Sequence, residues 1–441
     1  MRSPVTATLQ PTDAPSSPPA VARRVTLASM TGTALESYDF YLFAYFAAFF
    51  VGPLFFEPLG AAGATLSAFL TIAVGFVIRP IGAIVLGHLG DRIGRRKTLL
   101  LTIAIMGVAT GAVGLLPTYA AAGWLGAILL VVLRLAQGFS LGGEWGGSIL
   151  LATEHSDSRR RGFWAALPQL GSPIGSILAA AVFLILTTVM PADDLAAWGW
   201  RIPFLTALPL LLVSLYLRWS LDETPVFRQL EQSGRRDRLP LAALLRRRPV
   251  ALLIAIASAI LGIGSYSLMN TYTLNYGAAV LGFSYQNLLI ATTIGGLLQL
   301  VTIPLFGAWA VRIGSARVVA LGAVGTLLVA FPMYYLLQFS TFAILVGTMI
   351  IGGILPTLSW AALGGLMTDL FPGDIRYSAL SVGYSIAALL TAFVPTLTAA
   401  LGAATDNAWW HPGIVLAIMS AITLVGAIAA ARAPREEALA A

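Results

Sequence analysis

Cysteine is absent from the 441 residues, which excludes a disulfide framework, thiolate metal ligands and a cysteine nucleophile. Charge is nearly as scarce: Asp, Glu, Lys and Arg make up 10% of the chain, against roughly a quarter in soluble domains. The little charge present is unevenly spread. From Pro249 to Val311 no side chain is acidic or basic, and Val318 to Thr368 is a second such stretch. A membrane-crossing helix needs ~20 apolar residues, so each stretch holds two crossings and a tight turn. Phosphate-loop, HExxH and Ser-His-Asp patterns are also missing, so neither an enzyme nor an ATP-driven pump is expected. The chain reads as an all-α polytopic membrane protein.

Cutting the sequence at charge clusters and Gly/Pro/Asn breaks gives twelve spans, at 25–51, 63–88, 97–117, 121–152, 160–189, 199–220, 249–277, 284–309, 316–337, 341–369, 375–402 and 410–431. The bases then sort to one side: Arg23 and Arg24, Arg92 to Lys97, Arg159 to Arg161, the run from Arg218 to Arg248, Arg312 and Arg317, Arg376, and Arg432 and Arg435. The opposite loops hold Glu57, Asp193, Asp194 and Asp406. By the positive-inside rule, both termini are expected in the cytoplasm. This placement accounts for the net charge of +7 without invoking nucleic acid. The expected organisation is a disordered tail (1–22), a six-helix bundle (23–220), a cytoplasmic linker (221–248), a second six-helix bundle (249–431) and a short tail (432–441).

Two internal echoes support that division. Gly87 to Lys97 (GHLGDRIGRRK) recurs in degraded form as Gly307 to Arg317 (GAWAVRIGSAR), with Gly, Arg, Ile and Gly in register. Glu154 precedes Arg161 by seven residues at the start of span 5, and Asp369 precedes Arg376 by seven at the start of span 11. Both relate span n to span n+6, the pattern of parallel repeats with a site near the midplane. Two pseudo-symmetric six-helix halves are the plan of a major facilitator fold. Asp91, Arg92, Arg95 and Arg96 with Glu154 and Arg161, and their echoes Asp369 and Arg376, are expected to form a gate whose ion pairs break as the halves rock apart.

Charges inside the bilayer are costly and are read as functional. Here they are Glu36 and Asp39, Arg79, Arg134, Glu144 and Arg201, all in the first half. At about 1.5 Å of rise per residue, Glu36, Asp39, Arg79 and Arg134 fall at similar depths. Glu36 and Asp39, three apart, share one helix face. A carboxylate beside an arginine, alternately ionised and protonated, suffices to couple a proton to transport. Asp39, assisted or replaced by Glu36, is expected to carry the proton, with Arg134 as countercharge. A permanent salt bridge is the structural alternative. Glu144, within GGEWGG, is the alternative proton site in place of Asp39 or only a polar strut.

Arg79 has Thr71, Gly75, Gly82 and Ala83 on neighbouring turns, so it is expected either to receive a substrate carboxylate or to pair with Glu36 or Asp39. Arg201, beside Trp198 and Trp200, is a second anchor or an outer-interface residue. Further cavity candidates are Gln169 and Ser172 near the Pro168 kink, Tyr266, Asn270, Tyr272, Asn275 and Tyr276 in span 7, Gln299, Trp360 and Tyr384. His88, His155 and His411 read as solvated or structural.

Seven stretches carry a family resemblance: Ala34–Tyr41 (ALESYDFY), Arg79–Lys97, Leu133–Ser148 (LRLAQGFSLGGEWGGS), Glu154–Gly162, Trp198–Leu205, Asp222–Arg228 and Asp369–Ala379. On these the chain resembles the metabolite/proton symporters of the major facilitator superfamily, and the EHS and PQLGSP stretches resemble its shikimate-type branch. The resemblance implies proton-coupled uptake of small organic acids or zwitterions, substrate contact at Arg79 and Arg201, and coupling roles for Asp39 and Arg134. Ser37 stands where the family usually has Trp, and Ser385 where Asn is common. The expectation is a monomeric symporter of a small organic anion in a bacterial inner membrane, with the proton as coupling ion and no cofactor or metal. A proline- or betaine-type symporter, a drug-efflux antiporter and a non-transporting sensor are the alternatives.

Overall fold

Long apolar segments without internal charge can satisfy their backbone in a bilayer only as helices or closed barrels, and here they form helices. The computed structural model describes residues 19–82, 85–86, 95–141, 145, 149, 152–153, 160–206, 208–209, 212, 244, 246, 248–371 and 376–433. Among these, nine helices are long and apolar enough to cross a membrane, and Ala104–Val113 and Trp124–Ser140 are shorter apolar helices. The arrangement matches the expected twelve-helix plan in two halves.

The first half is built from α1 (Pro19–Phe46), α2 (Gly60–Val77), α3 (Arg95–Val113), α4 (Trp124–Ser140) and α5 (Gly171–Val189). The second half is built from α6 (Pro249–Ser267), α7 (Tyr285–Ile313), α8 (Ser315–Leu337), α9 (Phe342–Leu370), α10 (Arg376–Ala392), α11 (Val394–Ala404) and α12 (His411–Arg432). Helix starts follow local chemistry. The Ser284 hydroxyl caps α7 by accepting from the Asn287 N–H at 3.2 Å. The Thr341 hydroxyl caps α9 by accepting from the Ile344 N–H at 3.3 Å. Gly314, at φ 94°, makes the tight reversal between α7 and α8, a conformation that glycine adopts without steric cost.

Three local departures from straight helix bear on the site. The segment expected to kink at Pro168 is a 3₁₀ turn, Leu167–Leu170, between Arg161–Ala166 and α5. Spans 1 and 7 each contain one π-helical turn, Ala47–Val51 and Leu268–Tyr272, and the offset that carries Gly87 onto Gly307 superposes the two turns to within one residue. The expectation that residues 1–22 form a tail is corrected at its end, because the first helix already begins at Pro19.

Glycines let the first half pack backbone against backbone. A Cβ on Gly138 of α4 would lie 1.8 Å from the Gly75 carbonyl of α2, and one on Gly175 of α5 would lie 2.6 Å from the Tyr38 nitrogen of α1. Close approach of this kind is what small residues give membrane helices, and it brings α1, α2 and α4 near enough for short polar side chains to meet.

Candidate functional site

A cavity lies between the halves, with about 110 Å³ open to the centres of water molecules. At ~10–15 Å³ per water on that measure, it has room for several waters or one small solute. The first half contributes Glu36, Ser37, Phe40 and Tyr41 from α1, Arg79 from the helical turn that continues α2, and Ser172 from α5. The second half contributes Tyr266, Asn270, Gln299, Trp360 and Tyr384. Among the described residues, one acidic and one basic side chain therefore face the same space.

Its walls are aromatic. Tyr41 and Tyr266 meet across the halves at 4.2 Å between ring centroids, and Trp145 stacks on Tyr384 at 4.3 Å and 8°. The Arg79 guanidinium lies 4.0 Å from the centre of the Phe76 ring, a cation–π contact that holds the head while leaving its donors directional. Tyr41 is hydrogen-bonded to Ser172, and the Tyr266 hydroxyl donates to Ser176 at 2.8 Å. Trp360 Nε1 is a buried donor with no protein acceptor.

Asp39 does not line this cavity. It is 5% exposed, in a polar pocket behind the wall. Its Oδ1 accepts from the Thr110 hydroxyl of α3, and its oxygens accept from Gln137 Nε2 at 3.2 and 3.5 Å. Arg134 Nη1 donates to Gln137 Oε1 at 2.9 Å, its Nε to the Thr71 carbonyl at 3.4 Å, and its guanidinium lies 3.9 Å from the Phe43 ring centre. The charges on Asp39, Arg134 and Arg79 act on one another electrostatically. The carboxylate and guanidinium are thus joined through an amide. Gln137 was readable in principle, three residues from Arg134 on the same helix face. Nothing in the sequence distinguishes Thr110 from the other hydroxyls along the spans.

Two residues expected at the substrate site lie elsewhere. Gln169 has both ends of its amide occupied, accepting from Trp145 Nε1 at 3.1 Å and donating to the Trp360 carbonyl at 3.3 Å. Arg201 donates to the carbonyls of Ala197 at 2.9 Å and Leu116 at 3.1 Å, and its guanidinium stacks 4.2 Å from the Trp200 ring. From span 7, Asn275 reaches across the halves to the Ala48 carbonyl at 2.9 Å. His411, fully buried, has Tyr272 and the Ala408 carbonyl on its two ring nitrogens, so it is structural rather than solvated.

Of the expected gate, Asp91, Arg92 and Glu154 lie outside the described residues, as do Glu144, His88 and His155. Arg95 and Arg96 open α3 and Arg161 opens its short helix, but their side chains are not among those described. Asp369 is exposed near the end of α9, and Arg376 Nε holds the Phe371 carbonyl at 3.0 Å. Near these residues the halves touch, with Gly307 beside Ala166 and Gly364 beside Ala165. Among the described residues no group of three His, Cys, Asp or Glu could hold a metal ion.

Residues 25–239 match the model of the family described as Sugar (and other) transporter. The chain is 34% identical to the inner membrane metabolite transport protein YhjE of Escherichia coli K12 over 91% of its own length and 92% of that protein. It is also 34% identical to the shikimate transporter of the same strain, over 91% and 93%, and 33% identical to its proline/betaine transporter, over 91% and 82%. A D-xylose-proton symporter structure superposes with a TM-score of 0.72 at 19% identity, over 91% of this chain and 97% of that one.

Proposed function

The chain belongs to the metabolite/proton symporters of the major facilitator superfamily, a family of transporters and not of enzymes, and we propose that it imports a small organic acid anion together with a proton. The observation that carries this reading is that Arg79 and Glu36 line one cavity shared by both halves, with Asp39 buried behind it. Arg79 supplies the donor fork for a carboxylate. An anion entering beside Glu36 adds negative charge to a small, weakly screened space, so its entry is favoured when a nearby carboxylate is protonated. Asp39 carries that proton, with Glu36 assisting. The basic clusters and both termini face the cytoplasm, in a bacterial inner membrane.

A zwitterion such as proline or betaine is the second reading. Glu36 and Arg79 together offer a receptor for each sign, and the Trp145, Trp360 and Tyr384 rings line the same cavity, offering faces to a quaternary ammonium. Purified protein in liposomes, given an inward acid gradient, is offered mono-, di- and tricarboxylates, shikimate and betaine. Accumulation of an acid, collapsed by a protonophore, supports the anion reading. Accumulation of betaine alone replaces it, and transport of neither overturns both.

A further inference from the structure

The Thr110 hydroxyl has two acceptors for one proton. Asp39 Oδ1 is one, and the Met106 carbonyl, one turn back along α3, is the other at 2.8 Å. The same oxygen accepts from Gln137 Nε2 at 2.8 Å. A hydroxyl has a single O–H and two lone pairs, so it serves one acceptor at a time. The Gln137 amide has no such freedom, because Arg134 Nη1 donates to its Oε1 and turning it over would set donor against donor. Gln137 is 1% exposed and Asp39 5%.

We infer that Thr110 is the positioning residue that lets Asp39 exist in both protonation states within this closed pocket. This rests on the reading of Asp39 as proton carrier. With Asp39 ionised, the hydroxyl donates to Oδ1. When a proton adds to Oδ1, the hydroxyl turns to the Met106 carbonyl, whose second lone pair is open to it, and a Thr110 lone pair accepts the new Asp39 O–H. Gln137 keeps donating in both states, Arg134 keeps its acceptor, and no buried polar group loses its partner. The rotation moves no proton between residues and no helix. The other charged or titratable groups acting on Asp39 are Arg134 of α4, Arg79 beyond α2 and the Tyr38 phenol of its own helix.

The test needs no substrate. Infrared spectra of the purified full chain in lipid nanodiscs are recorded across pH, and the Asp39 carboxylic C=O band is assigned by its loss in D39N. In T110V, which keeps shape and removes the hydroxyl, the midpoint of that band moves to higher pH by about one unit, tenfold in proton affinity. The ionised form loses a charge-assisted bond and the acid only a neutral one. T110S, which keeps the rotor, titrates with the wild type. An unmoved midpoint in T110V, or T110S displaced along with T110V, overturns the inference. D39N protein that still accumulates substrate on a proton gradient overturns the reading beneath it, and does so separately, because the infrared titration does not depend on transport.

Discussion

Arg134 reaches Asp39 through Gln137, whose amide accepts from the guanidinium at 2.9 Å and donates to the carboxylate at 3.2 Å. A direct bidentate pair would hold the acid ionised against any modest driving force. An amide between the two keeps the charges in each other's field yet leaves a carboxylate oxygen to neutral donors. In place of the direct salt bridge that was the structural alternative for this pair, the amide forms a relay.

Gln137→Leu leaves Arg134 Nη1 and one side of Asp39 without their partners. Each buried group so abandoned costs ~1–3 kcal/mol. The thermal unfolding midpoint in detergent is expected to fall clearly, and Gln137→Glu, which restores an acceptor for Arg134, to fall less. Equal midpoints for Gln137→Leu and wild type would contradict the network.

Asp39→Asn keeps the shape and the hydrogen-bonding capacity of the site and removes its titration. Proton-driven accumulation is expected to disappear while exchange of labelled for unlabelled substrate continues. Accumulation at the wild-type level would remove Asp39 from the coupling step.

Arg79→Ala deletes the cavity's guanidinium. Two charge-assisted bonds to a carboxylate, at ~1.5–3 kcal/mol each, correspond to a loss of anion uptake on the order of 100-fold or more, in protein that still elutes as a single species. Uptake at the wild-type rate is the contrary result.

Trp360→Phe removes the indole donor that, among the described residues of the cavity wall, is buried without a protein acceptor, while keeping an aromatic face. For a transported acid bearing a hydroxyl or carbonyl acceptor, KM is expected to rise about tenfold. An analogue lacking that acceptor should be unaffected, and equal losses for both would assign Trp360 to packing alone.

The glycine contacts make a graded pair. Gly138→Ala puts a methyl 1.8 Å from a backbone carbonyl, whereas Gly75→Ala puts one 3.0 Å from Arg134 Nη2. The first is expected to abolish recovery of folded protein and the second to yield folded protein with impaired transport, as size-exclusion profiles and liposome uptake would show.

The spans were legible because a bilayer sets their length and because Pro249 to Val311 has no charge to mistake for a surface. Glu36, Asp39, Arg79 and Arg134 were legible because charge in such a background is conspicuous. Thr110 was not, since uncharged polar residues occur in most spans and only packing decides which face inward, and Gln137 was signalled only by its three-residue spacing from Arg134. Gln169 illustrates the limit. Its rotation about the helix axis depends on the 3₁₀ turn Leu167–Leu170, which advances about three residues per turn rather than 3.6, so it points into the wall while Ser172 reaches the cavity.

The paired π turns at Ala47–Val51 and Leu268–Tyr272 have a mechanical consequence. A wide turn stores one surplus residue, and relaxing it into regular α-helix rotates everything beyond it by about 100°. Each half therefore carries its own swivel at the same height, beside the Tyr41–Tyr266 contact. The tips of spans 1 and 7 can be re-aimed locally, as a wrist turns without the forearm, while the bundles beneath them stay packed.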